Sequence, residues 1–278
     1  MFSFSTLWRF SNLAPEEYYP PFWSNNIYAF EAMEDHSIDP SFLKQTPLKI
    51  SNIAMRCPWE SKEEIPSLCS PMAQERDKAC HRLAEAANKA IALQTPYVIV
   101  WPGRISWEEF PFTELEKISP EQKIALRKKK AAPYLERICR ILFDIAKKYP
   151  DLVWCLAPAR HLEDFPLFAE MEAILDDLKS IRLAYWHNPV NCHFLQKFGM
   201  EGQEPWLFQY ARNMAGVHLE DATGMEGLYP AGTGEISFKD IKNDLPKQAI
   251  RVLRIDSRFS LQEVFFAFQH LQQAGLVE

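Results

Sequence analysis

The stretch GVHLEDATGMEGLYPAGTGE, residues 216–235, decides how the chain is read. With Ala215 it opens as a short apolar strand that carries one histidine, His218. Two acids follow, Glu220 and Asp221, and then a loop holding Gly224, Gly227, Gly232 and Gly234. A strand that ends in a histidine and carboxylates, above a loop made permissive by glycine, has the composition of a site as well as of a turn.

Working outward, the same kind of short apolar run recurs at 2–7, 27–31, 48–55, 97–101, 152–156, 181–186 and 250–255. Helical patterns fall between most of them. From residue 71, Leu83, Ala86, Ala87, Ala90 and Ile91 share one face at three-to-four spacing. The periodicity predicts a helix over 133–148, with Leu135, Ile138, Leu142, Ile145 and Ala146 inward. The basic run Arg127 to Lys130 just before it reads as a solvated helix face. A helix over 165–178 and two short ones near 192–198 and 206–212 follow, then a short one near Ser237. The last, 261–273, is announced by Ser260 and Glu263, the spacing of a capping box.

Eight runs with apolar interiors, mostly followed by helices, predict an α/β fold. It is a single (β/α)8 TIM barrel over 1–278, with parallel strands inside a ring of helices. An open doubly wound sheet is the alternative. Its dinucleotide-binding fingerprint is missing, because residues 7–14 contain no glycine.

Composition sets outer limits. Of 278 residues, 47% are hydrophobic and 24% charged, which suits a globular chain. A net charge of −6 opposes a general nucleic-acid binder. No apolar run reaches the length needed to span a membrane. The start, MFSFSTLWRF, lacks a basic segment, apolar core and small-residue cleavage site, so a cytoplasmic protein is expected. The six cysteines form no CxxC pair and read as free thiols of a reducing compartment.

In such a barrel chemistry gathers where the strands end. The first two runs offer Trp8, Arg9 and Glu31; the third and fourth offer Arg56 and Trp101. The fifth and sixth offer Arg160, His161, Trp186 and His187. The seventh and eighth offer His218, Glu220, Asp221, Arg254, Asp256 and Arg258. Arginines suit a phosphate or carboxylate, since the planar fork donates two parallel hydrogen bonds. Tryptophans suit a sugar ring. Trp8, Arg56, Trp101, Arg160, Trp186, Arg254 and Arg258 are therefore the candidate substrate-binding residues, against the plain alternative of rim charges paired with neighbours.

Order and spacing resemble the xylose-isomerase-like TIM barrel superfamily, of the sugar-phosphate isomerase and epimerase type. The resemblance rests on four pieces. These are the helix and strand from Glu75 to the Pro102-Gly103 turn, the strand around His218, the loop and helix start over 230–241, and the closing strand and helix over 253–271. It implies a sugar or sugar-phosphate isomerase or epimerase with a divalent metal (Mn, Mg or Zn) at the C-terminal face. The metal would polarise sugar oxygens while a carboxylate moves a proton on carbon. The chain departs from that pattern. Ala157 stands where the fifth strand should supply a glutamate, Trp101 where a repair-enzyme relative has histidine, and Asp256 where the last strand has glutamate. The resemblance thus implies a degenerate metal site of His187, His218 and Asp256, with Glu220 or Glu31 as the proton-moving group.

Three functions follow from this reading. One is the isomerase or epimerase just described. The second is a metal-free barrel, with no other cofactor, holding an anionic small molecule on Arg56, Arg160, Arg254 or Arg258. The third is a silent relative that binds a partner through the aromatic segments 18–23 and 107–112, which could equally be lids. The expected partner is a small molecule, a sugar or an anion, rather than nucleic acid or membrane, and self-association is left open.

Overall fold

The computed structural model describes residues 1–8, 20–61, 63–106 and 118–277. Arg9, residues 18–19 and the aromatic segment 107–112 lie outside the described residues.

Eight parallel strands close into a barrel. They are β1 (Phe2–Ser5), β2 (Ala29–Met33), β3 (Lys49–Ala54), β4 (Tyr97–Val100), β5 (Val153–Leu156), β6 (Leu183–His187), β7 (Met214–Leu219) and β10 (Ile250–Leu253). Each pairs with its neighbour in chain order, and β1 pairs with β10 to close the ring. Each falls on a predicted run. Among the described residues, the principal outer helices are α1 (Ala73–Ala92), α2 (Pro120–Lys148), α3 (Phe168–Asp177), α4 (Pro189–Lys197), α5 (Gln203–Tyr210) and α6 (Leu261–Gln273).

The strands are apolar on both faces because both faces are buried. Alternate residues turn outward to the helices: Val98 and Val100 of β4, Trp154 and Leu156 of β5, Tyr185 of β6. The intervening residues fill the barrel interior, among them Ile99, Cys155, Ala184, Trp186 and Val252. Trp186 is wholly buried there, opposite Gly216 of β7. A Cβ at Gly216 would lie 2.5 Å from the Trp186 ring. The glycine that opens the quoted stretch is therefore a space requirement of this tryptophan.

Three local expectations are corrected. Helix α2 begins at Pro120 and not at Pro133, because Ser119 and Gln122 form a capping box with proline in the first turn. Pro133 then sits inside the helix. That costs a hydrogen bond, and Ile138 and Leu142 beyond it are wholly buried. Arg127 is not a solvated charge. It is 1% exposed, donates to the carbonyls of Leu162 and Asp164, and grips Glu170 with Nη1 and Nη2 at 2.5 and 2.9 Å. Finally, the glycine loop after β7 is not open. Asp221–Thr223 and Glu226–Tyr229 pair as an antiparallel hairpin, β8 and β9.

Among the described residues, no helix is long and apolar enough to cross a membrane.

Candidate active site

The loop that follows β7 is ordered by Asp221. Its Oδ1 accepts from the backbone of Ala222 and Ile236, and its Oδ2 from Gly232 and Gly234, each at 2.9 Å. Four amide donors are satisfied by one buried carboxylate, so Asp221 is the acid that shapes the loop. Glu220 performs a similar service one residue earlier. It accepts from Asn188 Nδ2 at 2.7 Å and from the Leu228 amide at 3.0 Å. Asn188 in turn caps α4 through the Asn191 amide. Both Glu220 oxygens are thus engaged in tying the hairpin to α4.

His218 turns the other way, into the barrel mouth. Its Nε2 lies 2.7 Å from Glu31 Oε2 of β2, and its ring packs on Trp186, 5.3 Å between centroids. Glu31 is wholly buried and heavily supported. Ser5 Oγ donates to Oε1 and Asn52 Nδ2 to Oε2, both at 2.7 Å. Arg254 Nε sits 3.1 Å from Oε1 as an ion pair, although its N–H finds no acceptor in line. Burial alone would raise the Glu31 carboxyl; His218 and Arg254 outweigh it, and the group is held down at about 2. A carboxylate ionised at neutral pH can only accept. The shared proton therefore sits on His218 Nε2. Nδ1 makes no hydrogen bond among the described residues, and the ring lines the cavity.

Arg254, 4% exposed, sits at the centre of the charges. Its Nη2 pairs with Glu60 at 2.8 Å, and Glu60 comes from the turn Pro58–Glu60 that crosses the mouth. Burial works against the guanidinium charge, but Glu60, Glu31 and Glu220 outweigh it and push Arg254 above its ordinary value. The cavity at the mouth has a volume of about 30 Å³, lined by Trp59, Glu60, Trp101, Asn188, His218 and Arg254 among others. That is room for about one water, against roughly 300–1,000 Å³ for ligand pockets in general. A larger cleft of about 430 Å³ lies at the other end of the barrel, along Lys44, Lys49, Gln94 and Tyr97 at the strand starts. It gathers neither histidine nor carboxylate.

The remaining candidates separate clearly. Trp101 lines the cavity, with the Arg104 guanidinium 5.5 Å from its ring. Trp186 forms the floor beneath His218. Arg160 is 6% exposed between the rings of Trp59 and Phe194, at 5.3 and 4.6 Å. Its Nε is buried without an acceptor, and a side chain at Gly227 would reach within 3.0 Å of its Nη1. Arg56 is held on the rim by Asp35 and His36. Arg258 clamps the hairpin through Glu226, Tyr229 and Phe259. Trp8 donates to the Phe259 carbonyl and packs on Phe4 and Phe22, outside the mouth. Asp256 accepts from the Arg258 amide at the turn into α6.

His187 shares the outward face of β6 with Tyr185, whose hydroxyl lies 2.6 Å from its Nδ1. Burial pushes His187 down to about 3. His187, His218 and Asp256 are therefore not assembled into one group. Among the described residues, no set of three or more histidines, cysteines and carboxylates is arranged to hold a metal. The donors that do converge, His218 and Glu31, share a proton and face a fixed guanidinium, so this set does not fit a divalent ion.

Sequence reading missed Ser5, Asn52, Trp59 and Glu60. Ser5 and Asn52 carried a signal, since each is a polar residue inside a buried strand and needs a partner there. Glu60 carried none, as its loop is rich in acids.

No protein-family model matches the sequence, and no curated protein is detectably similar to it. Solved structures do match. L-ribulose 3-epimerase superposes with a TM-score of 0.72 at 13% identity, over 99% of this chain and 93% of that one. D-psicose 3-epimerase from Clostridium cellulolyticum gives 0.68 at 11% identity, over 99% and 98%. A xylose isomerase domain protein from Planctomyces limnophilus gives 0.63 at 12%, over 98% and 95%. The chain has the fold of these xylose-isomerase-like barrels, in a far-diverged sequence.

Proposed function

We propose that this chain is a sugar isomerase- or epimerase-like barrel. It acts at its C-terminal mouth on a small hydroxylated carbonyl compound of the carbohydrate class, with His218 as the group that carries the proton. The observation behind this reading is the His218–Glu31 contact at 2.7 Å, wholly inside the mouth. An ionised acid that fixes the ring, a proton held on Nε2 and a ring that lines the cavity together make His218 a positioned proton carrier.

The chemistry follows from that geometry. Nδ1 removes the proton from the carbon beside the substrate carbonyl. The C–H bonding pair moves into a carbon–carbon double bond, and the carbonyl oxygen takes the negative charge. If the intermediate turns over in the site before the proton returns to the same carbon, that carbon is epimerised. If the proton goes to the former carbonyl carbon, whose oxygen gains a proton while the neighbouring hydroxyl loses its own and becomes the new carbonyl, the sugar is isomerised. Glu31 does not move the proton, because both its oxygens are occupied and it stays ionised; it positions His218. The cavity of about 30 Å³ does not admit a sugar, so the turn Pro58–Glu60 with Trp59 moves aside for entry.

A phosphorylated or carboxylated sugar is favoured over a neutral one by Arg160, a buried guanidinium with no ion pair among the described residues. The test is solvent exchange. Chelator-treated protein is incubated in D2O with neutral, phosphorylated and carboxylated aldoses and ketoses, and deuterium beside the carbonyl is read by NMR. Incorporation that disappears in His218→Asn supports the reading. No incorporation from any sugar, with no ligand-induced shift in melting temperature, ends it.

A further inference from the structure

The mouth gathers three buried carboxylates, Glu31, Glu60 and Glu220, and one imidazole about Arg254, with the Arg160 guanidinium also close to Glu220 and Glu60. In the isomerases this fold resembles, an acidic and histidine-bearing mouth is the setting for a divalent metal. Here the neutralising charge is covalently part of the chain. Arg254 rises from the end of β10, Glu31 lies across β1 on β2, and Glu60 comes down from the turn after β3.

We propose that Arg254 is the resident cation of this site, occupying with its guanidinium the place and the electrostatic role of a divalent metal. Three observations carry the inference. Arg254 contacts Glu31 at 3.1 Å and Glu60 at 2.8 Å, so it sits among carboxylates that would otherwise repel one another. Its Nε is buried 3.1 Å from Glu31 Oε1 with no acceptor in line, so charge and not a directed hydrogen bond holds that pair. His218 and Arg254 line the same cavity, so a base and a fixed positive charge address one small volume. A fixed cation aimed at an oxygen that becomes negative lowers the barrier to enolisation, as a metal would, with no reorganisation when the charge appears. The inference rests on the reading of the mouth as the reacting site and is independent of the substrate.

Its test is metal binding, not turnover. Chelator-treated wild-type protein, Arg254→Ala and Arg254→Lys are titrated with Mn2+. Free Mn2+ is followed by electron paramagnetic resonance, and melting temperature is recorded with and without the ion. Wild-type protein and Arg254→Lys are expected to take up no stoichiometric Mn2+ and to melt at unchanged temperature. Arg254→Ala leaves a hole among carboxylates; it is expected to bind about one Mn2+ per chain and to melt several degrees higher with the ion. That uptake is expected to vanish in Arg254→Ala/His218→Ala. Uptake of one Mn2+ by the wild type, lost on His218→Ala, overturns the proposal. So does an Arg254→Ala protein whose melting does not respond to Mn2+, whether it starts folded or unfolded. Failure of sugar exchange leaves both results standing, so the two readings fail separately.

Discussion

Replacing Glu31 by glutamine removes one oxygen and one charge from the most heavily connected carboxylate in the barrel. Glu31 accepts from Ser5, Asn52 and His218 and pairs with Arg254. A glutamine amide nitrogen must face at least one of those donors, whichever way it is turned. The magnitude can be worked in two ways. The carboxyl is held at about 2 against an ordinary value of 4.5. A shift of about 2.5 units at about 1.4 kcal/mol each is roughly 3 kcal/mol of stability carried by the ionised form. Removing one partner from a buried charge pair costs about 3–5 kcal/mol in general. Both lead to a loss of about 3–5 kcal/mol at pH 7. The pH dependence has a definite sign. The folded value lies below the unfolded one, so the contribution is complete above about pH 4.5 and declines as pH falls toward 2. At pH 3 somewhat under half of it remains. Urea denaturation of wild type and Glu31→Gln from pH 7 to pH 3 measures the gap directly. A gap below about 1 kcal/mol at pH 7, or one that is no smaller at pH 3, refutes the reasoning. In Glu31→Gln/Arg254→Met the losses should add to less than their sum, because the charge left unpaired by either single change is gone.

Two further outcomes follow from the same geometry. Gly216→Ala puts a Cβ 2.5 Å from the Trp186 ring, so it should lower stability by about 1–3 kcal/mol, and Trp186→Leu should relieve part of that loss; an unchanged melting temperature for Gly216→Ala disproves the space requirement. His187, pushed down to about 3 by burial, should show no titration of its ring resonances between pH 5 and 8, and an NMR midpoint inside that window would place it in a wetter setting than the outward face of β6.

The fold was legible because it repeats. Eight apolar runs with helices between them carry the same message eight times, and an error of two residues at any one leaves the barrel intact. The site was legible only where a residue's face could be read. His218 alternates with the outward Val217 and Leu219, so its inward direction follows from the pleat. The same rule sends His187 outward with Tyr185, although its position at a strand end resembles a ligand. Arg254 was visible as a candidate, but its partners were not. Glu31 is 223 residues away and Glu60 lies in a loop with several other acids, so no local pattern joins them. The helix that starts at Pro120 was hidden by Pro133, because a proline is a better-known start than an interior residue.

The position of the cluster adds a constraint of its own. Around the barrel, β10, β1 and β2 are neighbours, so the Arg254–Glu31 and Ser5–Glu31 contacts bridge the seam where the first strands meet the last. Below that seam the interior carries no charge among the described residues: Ser3 and Ser51 share a hydrogen bond at 2.8 Å, and Val252 and Trp186 fill much of the rest. The polar layer thus links the first strands to the last by charge at that seam. A divalent metal and a guanidinium can each meet that need, since either neutralises the carboxylates; an empty position cannot. Exchange of one cation for the other is therefore easier than loss of both, because the buried carboxylates need neutralising in either case.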